Sequence, residues 1–147
     1  MIDIISAVLS LFAIVVSIYA AFTANKSAAA AIRSSNCGSI FDDYLIKKIP
    51  QARTTLRFDG GGHLCNGNNL CDALTSMSMS ALFYRYDDKT FFDKLTKKCS
   101  LLEDLIVEAG NKPKDSENEQ REFWQEVQES LESIYQLIDR KRVGSKL

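Results

Sequence analysis

His63, Cys65 and Cys71 fall close together in the stretch FDGGGHLCNGNNLC, from Phe58 to Cys71. That stretch holds the chain's single histidine, two of its four cysteines and four of its seven glycines. Three consecutive glycines are costly inside a helix or strand, so the segment reads as a loop. Imidazole and thiol groups at this spacing admit four chemistries: a Cys65–Cys71 disulfide, a zinc site completed by Cys37 or Cys99, a Cys/His nucleophile, or a ligand-binding loop. The zinc reading lacks a Cys-x-x-Cys pair and a second histidine. Cys99 falls at a core position of its helix, where cysteine usually acts as a small hydrophobe. The nucleophile reading lacks a third group to orient the pair. The expectation is therefore no metal, no cofactor and no enzymatic activity.

The binding reading draws on more residues. Gly60, Gly61 and Gly62 leave backbone N–H groups that can cradle phosphate oxygens. Asn66, Asn68 and Asn69 carry amides that can pair with adenine edges. Arg53 and Arg57 directly precede the loop, and Lys47 and Lys48 lie one or two turns earlier, where they can neutralise a small anion. Lys47, Lys48, Arg53, Arg57, His63, Asn66, Asn68 and Asn69 are thus the candidate ligand contacts. The plainer alternative is a solvated loop following a basic helix face.

Charge narrows the partner class. The chain carries 18 basic and 19 acidic residues, which gives no polyanion-binding signature and no expectation of DNA binding. The distribution is uneven. Lys47, Lys48, Arg53 and Arg57 form an acid-free run between Asp43 and Asp59, whereas Asp115 to Glu132 holds seven acids and one basic residue, Arg121.

The elements that must position these groups begin with a membrane-length segment. From Ile4 to Asn25 no residue is charged. At about 1.5 Å per residue, a helix of that length covers roughly 30 Å, the thickness of a bilayer core. A signal peptide would place basic residues before a shorter apolar run, whereas here only Asp3 precedes it. An uncleaved transmembrane helix over residues 1–25 is expected, then a helical connector over 26–36 and a cytosolic domain over 37–147. Lys26 and Arg33 follow the span, so the N-terminus is expected outside the inner membrane and the remainder in the cytosol. There Cys65 and Cys71 would stay thiols; in the opposite orientation a disulfide becomes the expectation.

The span also carries a stripe of small residues. Ser6, Ser10, Ala13, Ser17, Ala20 and Ala24 continue into Ser27, Ala31 and Ser34 at alternating spacings of four and three. Small residues let helices approach closely in lipid, so the stripe points to self-association as a homo-oligomer. Its serines could instead face a narrow pore or bond back to their own helix. SAAAAIRSS is a strong helix former, so the anchor is expected to run into the soluble part as one helix.

The rest reads as an all-α bundle. Ile40, Phe41, Tyr44, Leu45, Ile49, Ala52 and Leu56 recur at helical spacing, starting near Cys37–Ser39, with Pro50 expected to kink or split the helix. Leu70 to Tyr84 and Phe91 to Ala109 give two further apolar faces, separated by the capping signal Asp87–Asp88. After KPKDSEN, a last helix carries Phe123, Trp124, Val127, Leu131, Ile134 and Ile138, with acids early and Arg140–Arg142 late, the order a helix dipole favours. Four such helices with short connections indicate a bundle.

The layout of IISAVLSLFAIVVSIYAAF, the basic flank NKSAAAAIR and a small cytosolic domain resembles the small membrane effectors of nucleotide-activated antiphage defence. It is similar in particular to the type III CRISPR membrane effector that binds cyclic tetra-adenylate and assembles as a tetramer. The resemblance covers the architecture of the whole chain and rests on no diagnostic motif. It implies a homo-oligomer in which a cyclic oligoadenylate, a small nucleotide second messenger, binds the cytosolic part and the membrane helices rearrange to permeabilise the bilayer in antiviral defence. The alternative is a membrane-anchored, non-enzymatic interaction module that docks a partner protein through its acidic last helix, with Phe123 and Trp124 at the docking surface.

Overall fold

Without proline, and with Gly38 its only glycine, the N-terminal third can propagate a single helix. The computed structural model describes residues 2–144, with the side chains of residues 2–12 and of Arg33 outside that description. Helix α1 runs unbroken over Ile2–Asp43, through the expected starting point at Cys37–Ser39. Near the N-terminus it is long and apolar enough to cross a membrane. Ala13, Ser17, Ala20 and Ala24 are exposed, while Ser6 and Ser10 carry side chains outside the described residues. The Ser17 hydroxyl donates back to the Ala13 carbonyl at 2.7 Å, and Thr23 donates to Tyr19 at 2.8 Å. Sustained burial begins at Cys37 and Phe41, where α1 joins the bundle.

Pro50 does not split the helical path. The chain instead widens into a π turn over Tyr44–Lys48, in which the Ile49 N–H donates to the Tyr44 carbonyl, and then continues as α2, Ile49–Thr55. A proline ring in a regular α-helix would crowd the carbonyl four residues back, here that of Ile46. Widening the turn before Pro50, in its place in the first turn of α2, relieves that crowding.

The glycine-rich stretch is a hairpin rather than an open loop. Strand β1, Arg57–Phe58, pairs antiparallel with β2, Leu64–Cys65, in the register Arg57↔Cys65 and Phe58↔Leu64. Helix α3 then spans Gly67–Ser80, starting one turn earlier than the apolar face suggests, because Asn66 adopts the left-handed conformation (φ 62°) that turns the chain out of β2.

A 3-10 turn over Ala81–Phe83 and the short α4, Tyr84–Asp87, lead to Asp88. The Asp88 carboxylate accepts the Phe91 N–H at 3.0 Å and caps α5, Lys89–Asn111. Helix α6, Glu117–Val143, opens with a reciprocal capping box between Ser116 and Glu119, and Gly144 stops it at φ 77°.

Helix α6 runs back along the α1–α2 path. Arg142 forks onto both Asp42 oxygens at 2.8 Å, the Cys37 thiol faces the Ile138 carbonyl, and Tyr135 reaches Leu45. The core lies between these elements and α3 and α5. Phe41, Tyr84 and Phe91 form its aromatic end, with Tyr84 and Phe91 edge to face at 4.9 Å. Leu70, Leu74, Met77, Leu95, Leu102, Val127 and Ile134 are fully enclosed. Each such side chain removed from water contributes about 1.5–3 kcal/mol before entropy is counted. The fold is all-α, with a two-stranded ladder as its one β feature among the described residues.

Candidate functional site

Asp59 organises the hairpin tip. Its Oδ1 accepts the N–H of Gly61 at 2.9 Å and of His63 at 2.8 Å, while its own N–H donates to the His63 carbonyl. The His63 N–H, with that of Gly61 beside it, holds the Asp59 carboxyl below its ordinary range. The Gly62 N–H donates to the Asp59 carbonyl. Three amides that could cradle a phosphate therefore already serve Asp59. The tip is also docked: Gly62 is buried, and its carbonyl accepts the Lys114 N–H at 2.8 Å. Gln120 in turn donates to the Lys114 carbonyl at 2.9 Å, tying that linker to α6.

The asparagines divide between framework and surface. Asn66 donates its side-chain amide to the Thr55 carbonyl at 2.9 Å, satisfying a carbonyl at the end of α2. Asn69 approaches the Thr55 hydroxyl at 3.4 Å. Asn68 is exposed. The basic residues are partly neutralised from within, since Asp43 pairs with Lys48 at 3.3 Å and Lys47 at 3.9 Å.

The eight candidates do not converge on one cavity. Lys48 and Asn69 line a groove of ≈ 430 Å³ between α2 and α3, with Gln51, Asp72 and Ser76. Arg53 lines a second groove of ≈ 450 Å³ between the π turn, α2 and α6, facing Leu131 and Tyr135. Asn66 and Asn68 line a third, of ≈ 250 Å³, between the start of α3 and the end of α5. Lys47, Arg57 and His63 line none of these three. The sequence pattern did not single out Tyr135, which lies beside Ile134 at the edge of the apolar face of α6 and is half-buried. Its one available signal was Pro50, which marks a turn whose carbonyls need partners from elsewhere.

The four cysteines are free thiols. Burial, followed by the charges of Glu103 and Asp72, pushes the Cys71 thiol up. Among the described residues no group of three His, Cys, Asp or Glu side chains is placed to share a metal ion. Phe123 is buried and Trp124 half-buried, both edge to face with Phe58 of β1 at 5.3 and 5.7 Å. Their rings thus fasten the hairpin to α6.

Comparison with known proteins yields no match to this chain, whether to a family model, a curated protein or a solved structure.

Proposed function

We propose that the chain is a single-span, self-associating protein of the inner membrane whose cytosolic bundle senses a small anionic ligand and passes the change to its membrane helix. The observation that carries this reading is the continuity of the first helical path. The apolar segment, the connector, the π turn and the basic residues Lys47, Lys48 and Arg53 follow one another without a loop between them. A ligand that reorients the π turn would move the helix emerging from it as a lever. Such a ligand shifts the assembly only if it binds two helix arrangements with different affinity.

The small-residue stripe supports close contact between copies in lipid, and at Ser17 the hydroxyl spends its donor on its own helix. The architecture nominates a cyclic oligoadenylate as the first ligand to try, with membrane permeabilisation in antiviral defence as the output.

The test uses the full chain in detergent, melted with and without a panel of cyclic nucleotides. A rise of several degrees with one ligand supports the sensor, because binding the folded state alone raises apparent stability. No shift with any of them, in a folded and oligomeric sample, rejects it in favour of a protein partner.

A further inference from the structure

We infer that the groove between the π turn and α6 is the ligand site, and that it takes a flat, largely apolar molecule bearing one anionic group and one hydrogen-bond donor. This inference rests on the sensor reading and assigns its site.

Pro50 lines the groove directly after the π turn. In the π turn the Ile49 N–H serves the Tyr44 carbonyl, so the next N–H in the series, that of residue 50, would serve Leu45. Proline has none. The Leu45 carbonyl therefore points to α6 for a donor and meets the Tyr135 hydroxyl at 3.4 Å, a long bond to an acceptor with a second lone pair free. The π turn, α2 and α6 together line a cavity of ≈ 450 Å³, within the size range of small-molecule sites.

The lining dictates the occupant. Leu45, Pro50, Leu131 and the Tyr135 ring offer apolar surface for a flat body. Arg53 stands exposed at the rim and forms no ion pair among the described residues. Glu132, the acid in the same groove, is instead held by the Gln128 amide at 2.7 Å. A guanidinium left unpaired over an apolar floor is a handle for a carboxylate or phosphate. The Leu45 carbonyl supplies the acceptor for an N–H or O–H on the body.

The experiment titrates the detergent-solubilised full chain with phenyl phosphate, adenosine monophosphate and inorganic phosphate. Either organic phosphate is expected to bind about tenfold or more tighter than inorganic phosphate, since only the organic molecules use the apolar floor. Whichever of the two binds tighter tells a nucleotide site from one for another aromatic anion. Arg53→Gln removes the handle, and Thr54→Trp fills the groove from its exposed rim. Each should weaken binding about tenfold or more, while Lys97→Gln, exposed on α5 and lining none of the three grooves, leaves it unchanged.

Melting without ligand checks that both variants fold. Binding that survives both substitutions overturns the groove assignment and leaves the sensor standing with its site elsewhere. Failure of all three probes to bind overturns the groove assignment, and the cyclic-nucleotide melts then decide the sensor separately.

Discussion

The Tyr135 hydroxyl lies 3.4 Å from the Leu45 carbonyl and joins α6 to the one turn of the first helical path where Pro50 deprives a carbonyl of its backbone partner. Tyr135→Phe should cost about 1 kcal/mol, the usual value of a hydrogen bond whose acceptor is left behind in a half-buried place. Pro50→Ala returns an N–H that Leu45 can use, so in that background Tyr135→Phe should cost little. The two substitutions form a double-mutant cycle, read by denaturant unfolding. Additive effects would mean that the hydroxyl and the proline are unrelated.

The glycines of the hairpin tip are not equivalent. Gly62 sits at φ 76°, and a Cβ there would lie 2.6 Å from the Lys114 carbonyl oxygen, a backbone atom that cannot swing aside. Gly62→Ala should therefore destabilise by about 1–3 kcal/mol. Around Gly60 a Cβ would meet nothing within 4 Å, so Gly60→Ala should stay within about 0.5 kcal/mol of the parent. Thermal melts of the two variants side by side test this. Equal, small effects would show that the tip does not depend on its contact with the linker.

Much of this architecture is written in local pattern. The 3.6-residue recurrence of Phe91, Leu95, Cys99, Leu102 and Ile106 marks one buried face of α5, and all five are buried. Asp88 read as a cap and is one. The run of the first helix past the apolar segment followed from the helix-forming stretch SAAAAIRSS, but the helix start read at Cys37–Ser39 is not one, since α1 passes through it to Asp43. What escaped sequence reading depends on partners distant in the chain. Pro50 declares that a turn must change, but the partner its Leu45 carbonyl finds, the Tyr135 hydroxyl, lies 90 residues along the chain, where periodicity carries no information. The glycine run declares a turn, but Asp59 taking up its amides is visible only once the hairpin closes. Lys48 ends the π turn and Arg53 lies five residues on in α2, so the two face different sides of the helical path and line different grooves.

Lys141 binds Asp88 at 2.7 Å at the junction of α4, α5 and α6, and its ammonium lies 5.0 Å from the centre of the Tyr84 ring. Partial burial works against the Asp88 charge, yet the hydrogen bonds from Lys141 and the Phe91 N–H prevail and hold its carboxyl below the ordinary range. A carboxyl depressed in the folded state adds stability that is present above its unfolded value, about pH 4, and is lost as pH falls through the folded value. Asp88→Asn keeps an acceptor for the Phe91 N–H but not the charge. The stability difference between parent and variant should therefore be largest near neutrality and shrink below about pH 4. A difference that stays constant across that range would mean that the Lys141 pair contributes no linkage.

On the proposed single-span reading, the free thiols report which side of the membrane the bundle occupies. Thiolate is the reactive form, so exposure and thiol acidity together set the order of labelling. Cys37 and Cys99 are buried, and burial pushes the Cys99 thiol up to about 11. Cys71 is half-buried and its thiol is raised, which leaves Cys65, on β2, as the first to react. A membrane-impermeant maleimide near pH 7.5, about one unit below an ordinary thiol, should therefore label the protein mainly at Cys65. With the bundle in the cytosol, labelling should occur in inverted membrane vesicles and not in intact cells, and Cys65→Ser should remove most of it. Labelling of intact cells would reverse the orientation. Labelling that appears in intact cells only after reduction would do the same, and would place a disulfide where the free thiols stand, since such a bond persists only on the oxidising side.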